Sequence, residues 1–487
     1  MKKLFVTAIL FLSVLCSATV IQAQSRTKAS VDFSYLPDAG EDRYNQRIAH
    51  KTIPVGQDDF LILSRKAADT YTVEKYSANL KKTWEEAIPL QPSETVEAFF
   101  TNKDAAIVIT RRDNGQGSQQ LFGHRINLAT GKKQQNTLLL EAPAKARRAG
   151  IASSADGSKL LVFRYQTTAN QQIQKISGTL YDGNLSKLSD TNYDLSDTPA
   201  ILSADVQVNN SGDQFISLIS DNMNRLTVRL YKLNAKEAKV MSVLVGGVFD
   251  GQKVYIIDSK FNLMPQGSLY GAVLTANQQT SKYYSLKAVK FDFEAEDMVF
   301  AEEFKFTPDY LAKINTLDKS SGPKPQRLED IYLSDLYLTP EQKLVVLAEK
   351  KYVAGGKDSP YFAKELHLFA YDEYMNSAWN SVLMKNQEAP AEEAFSGISY
   401  AATLQGKTLH LLTLENLNGK HDLYLRQIDT STGTTTAPKA VGLKVANDTN
   451  LAYVKDFTSW LSEKDIITVV RPNRKADGLR LSHIQLK

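Results

Sequence analysis

Cysteine is all but missing. The one example in 487 residues, Cys16, lies in an amino-terminal apolar stretch, so a chain that sheds that stretch has no thiol. This excludes a disulfide framework, a thiolate metal site and a cysteine nucleophile, and leaves a hydrophobic core as the source of stability. An excess of one charge is lacking too. The net charge is +4, and removal of Lys2 and Lys3 leaves +2, which gives no electrostatic case for binding nucleic acid. Beyond the amino terminus no apolar run is long enough for a transmembrane segment. Histidine is sparse, and His50, His124, His367, His410, His421 and His483 form no pair at metal-ligand spacing. Gly397, Ser399 and Ala401 superficially resemble a nucleophile elbow, but alanine ends the pattern and a strand follows it. No phosphate-binding glycine loop is present. These absences predict no metal and no cofactor, and they favour a chain without motif-borne catalysis.

What is present starts with a leader. Lys2 and Lys3 precede an apolar run over 4–15 and a small residue, Ala23, at a cleavage position. This reads as a signal peptide over 1–23, ahead of one domain over 24–487. Leu15 just before Cys16 is unsuited to lipoprotein processing. The mature chain is expected to be exported, to the periplasm or to the cell surface and extracellular space.

Internal repeats then decide the fold. Apolar, β-rich runs recur at 60–64, 106–110, 160–164, 215–219, 269–274, 344–348, 409–413 and 466–470, each followed by an alternating strand. Those second strands end at Tyr76, Ile126, Tyr181, Tyr231, Phe291, Tyr371, Ile428 and Ile484, with gaps of 50, 55, 50, 60, 80, 57 and 56 residues. Four strands and their turns need about 40–60 residues, one propeller blade. The spacing therefore predicts an all-β, eight-bladed β-propeller, with seven blades as the alternative and an insertion in the 80-residue gap. The last blade lacks an outer strand, which residues 31–35 are placed to supply, closing the ring.

The turn Ala155, Asp156, Gly157, Ser158 resembles the aspartate-glycine turn of TolB and WD40-like repeats. Tyr76 and Trp84, and likewise Tyr371 and Trp379, repeat an aromatic and a tryptophan eight residues apart. With the leader, these features resemble uncharacterised secreted β-propeller proteins of Bacteroidota. That resemblance implies the fold and export, and brings no catalytic residues.

Long insertions at 307–329 and 351–362, bearing Tyr310, Tyr352 and Tyr361, are expected on the face where second-to-third and inter-blade loops emerge. Cations gather in the same loops: Arg111, Arg112, Arg147, Arg148, Arg471 and Arg474. The expected function is a non-catalytic envelope platform whose loop-rich face binds an envelope protein or an anionic polysaccharide. The alternative is a carbohydrate-active enzyme, a glycosidase or lyase, with acids from several blades in the central channel. Asp330, Asp335, Asp456 and Glu393 lie on or near the innermost strands. Trp84 and Trp379 read as inter-blade packing, and Trp460 as a loop residue. Converging carboxylates and aromatics in the channel would favour the enzyme, and aliphatic or plugged walls the platform.

Overall fold

The computed structural model describes residues 25–37, 47–56, 58–235, 237–264, 267–319, 324–356, 358–448 and 450–486. The leader lies outside them. The chain forms eight antiparallel sheets, and blades 1 to 7 span 52–89, 94–143, 150–194, 203–244, 247–305, 331–389 and 401–440. Blade 8 joins three carboxy-terminal strands within 453–485 to the amino-terminal strand Arg26–Phe33. The ring is an eight-bladed β-propeller.

Burial explains why the repeated runs are continuous rather than alternating. Each second strand is packed between neighbouring blades on both faces, so Ala106 to Ile109 and Leu344 to Ala348 are fully buried. Outer strands keep one wet face, and Lys187–Asp194 alternates exposed with less exposed residues. All eight sequence anchors fall on third strands. Trp84 packs on Gly131 of the next blade and donates its indole N–H to the Leu128 carbonyl (3.1 Å). Trp379 packs on Gly433 in the same way, donating to the Thr430 carbonyl (2.9 Å). Both glycines take positive φ, +72° in each, and any Cβ there would strike the indole. The two tryptophans are inter-blade anchors.

Closure uses the amino-terminal strand as expected, set slightly earlier than 31–35. Arg26–Phe33 pairs antiparallel with Leu479–Gln485, bringing Val31 opposite Leu481 and Phe33 opposite Leu479. A second seam joins blades 8 and 1 at the ring's inner edge. There the Lys51 amide donates to the Asp456 carbonyl (2.7 Å), and its buried ammonium lies 3.2 Å from the Asp456 carboxylate.

The 80-residue gap holds the insertion. It includes a helix, Pro308–Leu317, capped by Thr307, whose hydroxyl accepts the Tyr310 amide (3.3 Å). Tyr310 and Ile314 turn inward onto blades 5 and 6. The expected loop over 351–362 is shorter. Strand pairing continues through Val353 opposite Tyr361, because Tyr352 stacks on Phe362 (5.0 Å) and Tyr361 meets Phe395 edge-on (5.0 Å).

Candidate ligand channel

The innermost strands of blades 1, 4, 5, 6, 7 and 8 line a cavity of about 1230 Å³. Period-two alternation sends every second inner-strand residue into the lumen. Asp205 and Gln207 therefore point in from blade 4, Lys260 from blade 5, and Asp335 and Tyr337 from blade 6. Tyr400 and Thr403 enter from blade 7, and Lys455 and Trp460 from blade 8. His50 enters from the segment before blade 1. The wall mixes these polar and aromatic groups with aliphatic ones, Ile53, Leu333, Ala401 and Ala402 among them.

Several of these groups hold one another. The Tyr400 hydroxyl donates to Asp335 Oδ2 (2.5 Å) and lies 2.7 Å from Ser334 Oγ. Burial and the Asp335 charge push the Tyr400 phenol far above its ordinary range. Asp258 accepts the amides of Ser259 (2.9 Å) and Leu333 (2.8 Å), which fixes it as a strand-to-strand clamp. Asp205 accepts the Gln207 side-chain amide (3.1 Å). Its carboxyl touches channel water yet is ringed by the wall, and that desolvation raises it, with Lys260 pulling the other way. His50 is likewise open to the lumen. Desolvation first, then the Lys455 charge, lower its imidazole below 6.5, so it is neutral at pH 7. The lumen thus offers hydroxyls, amines, a neutral imidazole, carboxyls and aromatic faces together. That set suits a hydroxylated ligand, with stacking and charge-assisted hydrogen bonds available at once.

No family model matches the chain, and no curated protein does. Solved structures similar to it include polysaccharide lyase Uly1, with 11% identity and a TM-score of 0.41 over 80% of this chain and 90% of that one. The β-propeller domain of the Trilobed protease from Pyrococcus furiosus has 9% identity and a TM-score of 0.38, covering 82% and 95%. The Vanderwaltozyma polyspora Nup133 β-propeller domain has 10% and 0.38, covering 81% and 100%. Likeness at this level extends to no activity or partner.

The cations expected on the loop-rich face separate into different environments. Arg111 and Arg112 lie in the second strand of blade 2, Ala105–Asp113, rather than in the loop after it, so they point to opposite faces. Arg112 donates to Gln120 Oε1 (3.0 Å) and covers the Phe122 ring (4.7 Å). Arg147 donates to the carbonyls of Leu202 and Gln171 and lies over Tyr165. Arg471 is buried against Asp448 and the Leu451 carbonyl, and Arg474 is exposed. Arg111 and Arg148 alone converge, beside Arg47, on the Glu97 carboxylate. Tyr310 is buried and donates to or accepts from His367 Nδ1 (2.8 Å), holding the helix rather than facing a partner.

The named acids also divide. Asp335 is in the lumen, Asp456 is neutralised by Lys51 and Lys455, and Asp330 caps the approach to blade 6 with φ +58°. Glu393 is buried beside a short 3-10 turn, and desolvation with the Glu392 charge raises it to about 7. Ser399 has φ +84°, a strained backbone for a non-glycine residue, and edges the cavity. Its hydroxyl is committed to Glu349 Oε2 (2.6 Å). Lys385 lies 2.6 Å from Glu349 Oε1 and donates to Gln387 Oε1 (2.8 Å). Gln387 in turn donates to the carbonyls of Ser399 (2.9 Å) and Leu414 (3.0 Å). This network joins blade 6 to blade 7, with the Ser399 hydroxyl held inside it.

Proposed function

We propose that this protein binds a carbohydrate chain in its central channel, exported to the cell envelope by its amino-terminal leader. The observation that carries the reading is the lumen of about 1230 Å³, where six blades bring together amines, carboxyls, phenols, His50 and Trp460. A cavity of this size accommodates several sugar rings. Hydroxyl-rich ligands are matched by convergent donors and acceptors beside aromatic faces.

Catalysis is the second reading, favoured by the Tyr400–Asp335 hydrogen bond beside a neutral His50. A phenol and an imidazole sharing a lumen with a carboxylate are proton-transfer groups positioned for glycosidic bond cleavage.

Calorimetric titration with neutral and acidic oligosaccharides tests binding. Wild type is expected to bind at least one class, and Lys260→Ala combined with Lys455→Ala to weaken that binding by tenfold or more. Undiminished affinity in the double variant, or no binding by wild type, contradicts the channel reading. The same mixtures are assayed for new reducing ends and for the ultraviolet absorbance of a new double bond. Either product, lost in Tyr400→Phe with binding retained, supports catalysis, and intact ligand leaves the protein a binder.

A further inference from the structure

We infer that Asp205, Lys260 and Asp335 form a row that grips adjacent hydroxyls of an uncharged sugar, so that the channel selects neutral saccharides over acidic ones; this rests on the channel reading above. The three residues come from the inner strands of blades 4, 5 and 6, which stand side by side in the ring. Each lies three pairs above the last pair of its inner hairpin. Asp205 pairs with Ser217 above Val208 and Gln214, Lys260 with Ala272 above Leu263 and Leu269, and Asp335 with Leu347 above Leu338 and Leu344. Those last pairs are equivalent, because Gln214, Leu269 and Leu344 pair in turn with the repeat anchors Tyr231, Phe291 and Tyr371. The row is therefore level, an ammonium between two carboxyl groups, and all three line the cavity.

The acids are held by other groups. Asp205 accepts the Gln207 side-chain amide (3.1 Å), which also donates to the Phe261 carbonyl of blade 5 (3.0 Å). Asp335 accepts the Tyr400 hydroxyl (2.5 Å). Asp258, the remaining acid of the lining, is clamped by the Ser259 and Leu333 amides. Lys260 is exposed to the lumen and makes no hydrogen bond or ion pair among the described residues. Its charge still reaches Asp205, Asp258 and His50, which places it amid them.

Charge along the lining balances. Lys260, Lys351 and Lys455 share it with Asp205, Asp258 and Asp335, and Lys351 and Lys455 also approach Glu349 (3.8 Å) and Asp456 (3.1 Å). A uronate or sulfate laid on Lys260 would meet a carboxyl group on either side. A hydroxyl suits the row better, since it donates one hydrogen and also accepts, and a carboxylate accepts more than one. Two adjacent hydroxyls can both accept from Lys260 while one donates to Asp205 and the other to Asp335. Charge on the protein partners strengthens each of these bonds. Tyr337 stands one pair above the last pair of its hairpin and Trp460 belongs to the last pair of its own, so aromatic faces lie below the row for the sugar ring.

The test titrates neutral glucan, mannan and xylan oligosaccharides, and an oligogalacturonate of equal length, into wild type, Lys260→Met and Asp205→Asn. Wild type is expected to bind at least one neutral oligosaccharide tenfold or more tighter than oligogalacturonate, with little change between low and physiological salt. Lys260→Met should weaken that neutral binding by tenfold or more. Asp205→Asn keeps the shape and removes one charge, so it should weaken the neutral ligand, strengthen the acidic one and narrow the preference. A wild-type preference for oligogalacturonate, or undiminished neutral binding by Lys260→Met, overturns the row and leaves the channel reading standing. Binding of no oligosaccharide at all overturns the channel reading, and the row with it.

Discussion

Glu349 and Glu97 are both carboxylates drawn into the ring and surrounded by cations, yet their settings differ. Around Glu349 the polar groups are sealed from solvent. Ser399 donates to Oε2, Lys385 lies 2.6 Å from an Oε1 that makes no hydrogen bond among the described residues, and Gln387 links Lys385 to Ser399, stitching blade 6 to blade 7. Burial pushes the Glu349 carboxyl up, but the Lys385 and Lys351 ammoniums outweigh it and the net direction is down, while burial pulls the Lys385 ammonium down against the Glu349 charge. Around Glu97, Arg148 forks onto the carboxylate and Arg111 lies 3.6 Å away, its Nε making no hydrogen bond among the described residues. The first cluster is sealed from solvent, and the second is open to it through Arg148, which is 43% exposed.

The sharpest way to break this contrast is to remove the nearer cation from the sealed cluster. Lys385→Met leaves Glu349 buried with only Lys351, 3.8 Å away, and should lower stability by about 3–5 kcal/mol in denaturant unfolding. A loss below about 1 kcal/mol would mean that the Glu349 network is not a structural stitch.

Glu393 provides an intermediate case, a buried carboxylate with Arg471 too weak an influence to offset desolvation and the Glu392 charge. Its folded pKa, about 7, exceeds the ordinary 4.5. The stability it permits is therefore complete below pH 4.5 and lost as pH rises through 7, a change on the order of 2–3 kcal/mol. Unfolding measured from pH 5 to 8 should show this decline, and Glu393→Gln should flatten it. An identical slope in wild type and variant would contradict the assignment. The smallest effect belongs to the solvent-open cluster, where Arg111→Gln should alter stability by under ~0.5 kcal/mol, since the Arg111 Nε makes no hydrogen bond among the described residues. A substantially larger loss would make Arg111 a structural residue after all.

Local pattern made the fold legible. The apolar runs, the third-strand anchors and the closing strand are properties of a few neighbouring residues and their period, and each was found from the chain alone. The tryptophans Trp84 and Trp379 were also readable as inter-blade packing. The site was legible only in fragments. Asp335 stood out on an inner strand, whereas His50, Asp205, Lys260 and Lys455 meet across the ring, from blades as much as 400 residues apart in sequence. No short window contains such convergence. The adjacent Arg111 and Arg112 were read as one basic patch because the strand was expected to end before them. Alternation continues through both and sends them to different faces. Tyr310 and Tyr361 went the same way, from loop residues to buried helix and strand residues, and Tyr352 is a half-buried strand residue stacked on Phe362. Glu97 gives no signal in the chain, because a bulge leaves no mark in the alternation until pairing is known.

Trp460 offers the most direct measurement of the central claim, that the channel binds carbohydrate. It lines the lumen, while Trp84 and Trp379 are fixed between blades by carbonyl hydrogen bonds. Oligosaccharide titration followed by tryptophan fluorescence should produce a saturable change in wild type. The change should vanish in Trp460→Phe and persist in Lys82→Ala, a substitution on the outer strand of blade 1. A wild-type signal that survives Trp460→Phe unchanged, or the lack of any saturable signal with both neutral and acidic oligosaccharides, would contradict binding in the channel.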